Sequence, residues 1–564
     1  MAPPRYSFDV ETRHGSRWII DCVETQEQRA RDRANALFAD PKCAGARIIR
    51  TWNRSDGVAV DTEIFCQTRE IQADTTMRIT RVDSVGMCRK LADYFGFESR
   101  QTMSRMFRAY LARVVLTPTE ILHDARHLKR INEKEELVRD AVDMAASLQT
   151  RAGEQDTKTR RDEIYRAIDA MIARARAIDP ANLPKLDGTF GTAMASLGDA
   201  IDRDRRDYIM LAALSRDLGQ FPSWMGKLDM LCGMAEAETE PEALALLDGV
   251  IADVLATDAV EEFLGLQPNL GATIRALFDL ADGIMSATRT GAGAAGLGAL
   301  LTAGKLPASR RCLGERAHRA LRLPHPLKPN DPGQETAELR KIIARVLTAT
   351  GLHSGASTAY ALTIRVARTM EQGGTPGRRA AIRAVFLAMP DMASGVFYLC
   401  DAARSELAHA HLADMAAVFD MVLKAKSLDE FCRRDLDPDA RMARATAAYH
   451  AMAASPFSPE IRASVTEHID TLLEHFIIGE RIIENLDRPG EHLRDRAVRL
   501  VQFCESGLPP NGKAFARARI RVLALLRQPD FPARFVAGID DPEAARTALR
   551  DFFALLKRSG VHGG

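Results

Sequence analysis

Two strings in this 564-residue chain carry the Glu-x-x-His spacing used by carboxylate-bridged metal bundles: Glu120-x-x-His123-x-x-x-His127 and Glu406-x-x-His409-x-His411. Such ligands hold iron, manganese or zinc only when their helix turns them inward together. At about 100° per residue, a stripe of Ile121, Leu122, Ala125 and Leu128 puts Glu120, His123 and His127 on the opposite, wet face. Glu406 and His409 likewise oppose Leu407, Met415 and Val418, and only His411 turns inward. Solvated faces and one core histidine are expected, so no metal-ligating residue is assigned.

Gly291-x-Gly293-x-x-Gly296 matches the dinucleotide-binding string, whose chemistry needs a buried strand before the turn so that backbone N–H groups face a pyrophosphate. The preceding residues, Leu277 to Thr290, read as helix, and no β-α-β unit surrounds them. A flexible or closely packed Ala/Gly segment is expected instead. Gly304-Lys305 is followed by Leu306, without the Ser or Thr that holds Mg²⁺ in a P-loop. No G-x-S-x-G, H-E-x-x-H or EF-hand loop occurs, and no nucleophile is seen in local pairing with a base. The sequence therefore assigns no catalytic residue and no cofactor.

The segment 91–118, LADYFGFESRQTMSRMFRAYLARVVLTP, has a two-helix corner pattern. Gly96 suits a tight turn, Ser99 can cap the second helix, and Met103, Met106, Phe107, Tyr110 and Val114 would pack it. Gln101, Arg105 and Arg108 would then point outward as groove and phosphate contacts. Gly96, Phe97, Ser99, Ser104, Arg105 and Phe107 resemble the second helix-turn-helix of AraC-type regulators, which implies DNA binding through 91–115. The likeness covers fewer than thirty residues. Extra residues separate Phe107 from Thr117-Pro118, the usual glycine between them is missing, and no first helix-turn-helix precedes the segment. Residues 77–131 carry eleven Lys and Arg against five Asp and Glu. A plain helical hairpin with a solvated arginine face is the leading reading.

The elements that would position these residues follow from periodicity. Tyr6, Phe8 and Val10 alternate with polar residues, and Trp18, Ile20 and Cys22 do the same beyond a His14-Gly15-Ser16 turn. Ala30, Ala34, Leu37 and Phe38 recur at helical spacing, and residues 46–52 and 58–66 flank a Ser55-Asp56-Gly57 turn. This predicts a small ββαββ module. From about residue 84 the period becomes 3.6 and no further strand is expected. Asp331-Pro332, Ser458-Pro459 and Asp541-Pro542 each open a helix. Their stripes are Leu339, Ile342, Ile343, Val346 and Leu347; Val465, Ile469, Leu472, Phe476 and Ile483; and Ala545, Leu549, Phe552 and Leu556. Gly351 and Gly560 are the expected stops of the first and last.

The fold class is thus mostly α: an N-terminal α+β module followed by an irregular multi-helical array. At about one domain per 100 to 200 residues, the chain divides into 1–70, a helical segment 71–180 with the corner, a helical domain 181–330 and a C-terminal helical domain 331–564. Residues 179–189 form a Pro/Gly break, and 287–333 is the candidate linker. No helical-repeat motif recurs at a fixed period.

Hydrophobic residues at 46%, charged residues at 27% and a formal charge of +1 exclude a disordered chain and a global field for nucleic acid or anionic membranes. Arg outnumbers Lys by about four to one, which reflects composition bias more readily than phosphate binding. Nine scattered cysteines without a C-x-x-C pair suggest reduced, packed thiols. No secretory signal or membrane span is expected, which points to the cytoplasm. The function expected is a non-enzymatic interaction or regulatory protein whose helical array is a protein-binding surface. A DNA-binding regulator using Gln101, Arg105 and Arg108 is the alternative, and an enzyme with a site between helical domains comes third. A protein partner is expected, no membrane partner, and oligomeric state is open.

Overall fold

The computed structural model describes residues 6–14, 17–39, 43, 45–53, 59–68, 77–151, 153, 155–198, 200–265, 267–284, 292–329, 332–370 and 374–561. These fall into two compact units, Met1–Ile79 and Thr80–Gly564. The expected mostly helical chain with a small N-terminal α+β module is what the structure shows.

The first unit is β1 (Tyr6–His14), β2 (Arg17–Glu24), α1 (Glu27–Ala39), β3 (Gly45–Asn53) and β4 (Ala59–Thr68). The antiparallel sheet has the order β2-β1-β3-β4, and Val10 lies opposite Cys22 on one side and Ile48 on the other. Period-two alternation sends Phe8, Val10, Ala46 and Ile48 to one face, where Ala30 and Ala34 of α1 cover them. On the sheet's polar positions Arg47 pairs with Glu11 at 2.5 Å. The expected turn residues Gly15, Ser16 and 55–57 lie outside the described residues.

The second unit begins with short helices, α2 (Leu91–Phe95), α3 (Phe97–Met106), α4 (Arg108–Val114), α5 (Pro118–His123) and α6 (Ala125–Asn132), and the longer α7 (Glu135–Gln149) and α8 (Thr157–Arg176). Next come α9 (Phe190–Ala195), α10 (Arg203–Leu218), α11 (Trp224–Ala237), α12 (Pro241–Leu255), α13 (Ala259–Leu264) and α14 (Leu270–Ala281). Then follow α15 (Ala292–Thr302), α16 (Pro307–Arg322), α17 (Glu335–Val346) and α18 (Ala356–Thr369). Eleven more helices, α19 (Gly374–Ala388) through α29 (Pro542–Arg558), complete the unit. After residue 84 the described residues contain no strand beyond an isolated Leu347–Leu352 bridge.

One apolar core runs from Phe190 to Val561 without a break at 330. The stretch 287–333, expected as a linker, instead carries α15 and α16, whose Leu297 and Leu313 are fully buried. Gly296 lies inside α15 close against α11, where a Cβ would meet Glu236 Oε1 at 2.5 Å, so this glycine marks close helix packing, while Gly291 lies outside the described residues. Local caps behave as their residues dictate: Ser458 accepts from the Ile461 N–H, and Asp541 from those of Glu543 and Ala544. Phe552 and Leu556 are buried while Ala545 and Leu549 are half-buried. The helix expected to run from Pro332 to Gly351 starts as a 3₁₀ turn, Pro332–Gln334, and ends at Val346. Ile483 belongs to a separate short helix, Ile482–Leu486. Asp331 lies outside the described residues.

Core packing has at least one position that only glycine fits. A Cβ on Gly395, in α20 (Met392–Ala402), would stand 2.3 Å from Phe386 Cε2 of α19, whose ring is itself buried. Gly395→Ala is expected to cost about 1 to 3 kcal/mol through overpacking. A denaturant midpoint equal to that of the parent would show that Phe386 swings aside freely.

Candidate anion-binding cleft

The corner that reads as a surface helix-turn-helix is built into the interior. α3 buries Arg100, Gln101, Thr102, Ser104 and Met106. Gln101 donates from Nε2 to the Ala252 carbonyl at 3.4 Å and accepts from Cys312 Sγ at 3.3 Å, so it joins α3 to α12 and α16. This corrects its expected outward orientation: two helices more than 140 residues away cover the face that local periodicity leaves open. Arg100 Nε reaches both carboxylate oxygens of the fully buried Asp253 of α12, at 3.2 and 3.1 Å, and Asp253 Oδ2 also accepts from Thr119 N and Oγ1 at 3.2 and 2.5 Å. The expected second helix also breaks at Phe107, and Ser99 sits within α3 while Gly96 occupies the N-cap. Gly96 is extended (φ −66°), and its lack of a side chain matters because a Cβ would approach Asp93 O at 3.1 Å.

The two Glu-x-x-His strings divide. Glu406 and His409 are exposed and His411 is buried, as their stripes imply. Glu120 and His123 are buried, which overturns their expected placement on a wet face, while His127 is half-buried. The short helix α5 packs against α3, α8, α10 and α12, so no side of it remains wet. Glu120 accepts from Lys227 Nζ of α11 at 2.5 Å and from Thr117 N at 2.8 Å. His123 Nδ1 donates to the Thr119 carbonyl at 2.8 Å, and its ring lies 4.6 Å from that of Tyr208. Burial drives the His123 pKa down to about 3, so the ring is neutral and is a packing element. Among the described residues no three His, Cys, Asp or Glu side chains come close enough to hold a metal ion.

Where α3 meets α14, α16 and α18, the second unit opens into a cleft of about 1250 Å³. Arg105 and Arg108 reach it from the corner, and Arg316, Arg319 and Arg322 reach it from one face of α16. Arg81, Arg368 and Arg378 complete the set of arginines, against only Asp83, Glu261 and Glu406 among lining carboxylates. Val260, Leu264, Leu277, Leu323 and Ile364 supply an apolar floor. The spacing Arg316-x-x-Arg319-x-x-Arg322 was the one signal for this wall in the sequence.

These cations are not equally satisfied. Arg108 is held by Asp258 and Glu261, and that pairing raises its pKa although burial alone would lower it. Arg316 binds the carbonyls of Ala256 and Thr257 and reaches Glu261 at 3.1 Å. Arg105 donates to the Gln101 carbonyl and Thr102 Oγ1, with Glu315 and Asp83 as its neighbouring carboxylates, and Arg322 stands 5.7 Å over the Tyr360 ring. Burial, reinforced by the neighbouring Arg105, lowers Arg319 to about 10, and burial also lowers Arg105. Both stay charged at neutral pH, so the cleft concentrates like charge that an incoming anion relieves. Ser104, also lining the cleft, has a buried Oγ with no hydrogen-bond partner among the described residues. On other sides of α3, Ser99, Met103 and Met106 line a separate apolar cavity of about 140 Å³.

Nothing in the described helices is long and apolar enough to cross a membrane. Comparison of the chain with protein-family models, curated proteins and solved structures gives no match.

Proposed function

We propose that this is a cytoplasmic interaction protein whose arginine-lined cleft takes an acidic, amphipathic helical segment of a partner protein. The observation that carries this reading is the pairing of eight arginines with an apolar floor in one cleft, against three carboxylates. An amphipathic helix with Glu or Asp on one face and Leu on the other matches both halves, with apolar burial for affinity and charge for steering and register. Buried, free thiols at Cys88, Cys232, Cys312, Cys400, Cys432 and Cys504 suit a reducing compartment.

DNA binding through Gln101, Arg105 and Arg108 is the second reading, favoured by the two arginines that reach the cleft. Gln101 lends it nothing, because its amide is occupied inside the protein. The test is fluorescence anisotropy of the full chain with a labelled peptide carrying Glu and Leu at helical spacing. Saturable binding that weakens with salt is expected, with Arg105→Glu and Arg319→Glu each lowering affinity by about tenfold or more. Binding of a DNA duplex in preference to the peptide, lost in Arg105→Glu, would put the second reading first.

A further inference from the structure

The loop between α17 and α18 carries an arrangement separate from the cleft and independent of the reading above. Ser354 Oγ lies 3.0 Å from His353 Nδ1, and His353 Nε2 lies 3.1 Å from Asp282 Oδ1. Asp282 follows α14, and its second carboxylate oxygen accepts from Arg345 Nη2 at 2.7 Å. We propose that Ser354, His353 and Asp282 form a nucleophilic acyl-transfer site for small, accessible carboxylic esters.

Hydrogen-bond polarity supports the roles. A carboxylate only accepts, so the ring proton sits on Nε2 and points at Asp282, which leaves the Nδ1 lone pair facing the Ser354 hydroxyl. Nucleophile, base and orienting carboxylate thus stand in hydrogen-bond sequence. Arg345 holds the Asp282 carboxyl below its usual range against the opposing effect of burial. The His353 ring is fixed edge-on to the buried Phe278, with centroids 5.1 Å apart.

Ser354 is exposed and adopts φ +57°, a conformation a serine rarely holds without help. The help is visible: His353 N donates to the Val346 carbonyl, Leu352 N to Asp401 Oδ2 of α20, and Thr358 Oγ1 to the His353 carbonyl. A strained residue so thoroughly determined by its surroundings is a feature found at functional sites. α18 begins directly afterwards, at Ala356, with Gly355 as its N-cap.

In the reaction, Ser354 Oγ bonds to the ester carbonyl carbon as its proton passes to His353 Nδ1. The carbon–alkoxide bond then breaks and the alcohol leaves with that proton. Water attacks the acyl-serine with His353 again as base; the carboxylic acid leaves and Oγ recovers a proton. The balance is ester plus water giving acid plus alcohol, with no further reactant.

The experiment treats the full chain with a fluorophosphonate reporter and locates the adduct by peptide mass spectrometry. Expected is one phosphonylated residue, Ser354, with at least a tenfold slower labelling rate in His353→Gln and Asp282→Asn. Ser354→Gly should fold with an equal or higher melting temperature, because glycine accepts φ +57°, and yet take no label. Labelling of Ser354 at the same rate in His353→Gln, or no adduct on Ser354 in the parent chain, would overturn the proposal and leave the triad as a loop clasp.

Discussion

Lys227→Ala is expected to destabilise the second unit by about 3 to 5 kcal/mol. Lys227 and Glu120 are 1% and 0% exposed, so neither charge has water to fall back on. The ammonium donates to Glu120 Oε1 and to the Val115 carbonyl at 2.7 Å, and Val115 itself holds a left-handed conformation (φ 52°) between α4 and α5. Removing the cation leaves a buried carboxylate whose remaining donors, Thr117 N and Oγ1, do not offset its charge. It also releases the carbonyl that fixes the α4–α5 turn. The double variant Glu120→Gln/Lys227→Met removes both charges and keeps most of the volume, so it should recover most of the loss. Denaturant melts of the three variants beside the parent settle this. A single-variant loss below about 1 kcal/mol would mean that water reaches Glu120, against its burial.

Acidification from pH 7 to pH 5 should remove about 4 kcal/mol of stability through two histidines alone. His123 and His318 are both lowered to about 3 in the folded chain, first by burial. Unfolded, each returns to 6.5. The folded pKa is the lower one, so between pH 6.5 and pH 3 the unfolded state binds more protons and stability falls as pH falls. Each ring contributes about 1.4 kcal/mol per pH unit in that window, or about 2 kcal/mol by pH 5. His318 Nε2 donates to Thr358 Oγ1 at 2.8 Å, and Thr358 in turn donates to the His353 carbonyl, so protonating its free nitrogen also disturbs that loop. Burial lowers His127 as well, which adds to the same slope, while burial raises Asp248, Asp253 and Asp401, which act in the opposite sense. Denaturant midpoints at pH 7, 6 and 5 measure it, and His318→Gln should flatten the slope by about half. A midpoint that does not move between pH 7 and pH 5 would show that both rings titrate in contact with solvent.

Much of the fold was legible because it follows from local rules. Alternation at Phe8 and Val10, the Ser458-Pro459 and Asp541-Pro542 caps, and the stripe through Ile342, Ile343 and Val346 use only neighbours in sequence. Side-chain direction on a strand or a helix is set by backbone geometry, and a cap by a few adjacent N–H groups. Arg105 and Arg108 were legible as cations of a basic segment, though the cleft that they line was not.

The contacts that build the cleft and the Ser354–His353–Asp282 arrangement were hidden by distance along the chain. The rotational argument that placed Glu120 and His123 in water assumes that polar means wet, and it fails when a six-residue helix is enclosed on every side and its charges find partners. Lys227 for Glu120, Asp253 for Arg100 and Cys312 for Gln101 lie 107, 153 and 211 residues away. Asp282 reaches His353 across 71 residues, and eight arginines spread from Arg81 to Arg378 face one cleft. By itself the sequence determined which segments are helix or strand and which face of each is apolar. Only the tertiary structure decided which polar residues are buried, paired or left facing a cavity, because long-range packing sets those contacts and burial multiplies the strength of every charge that it encloses.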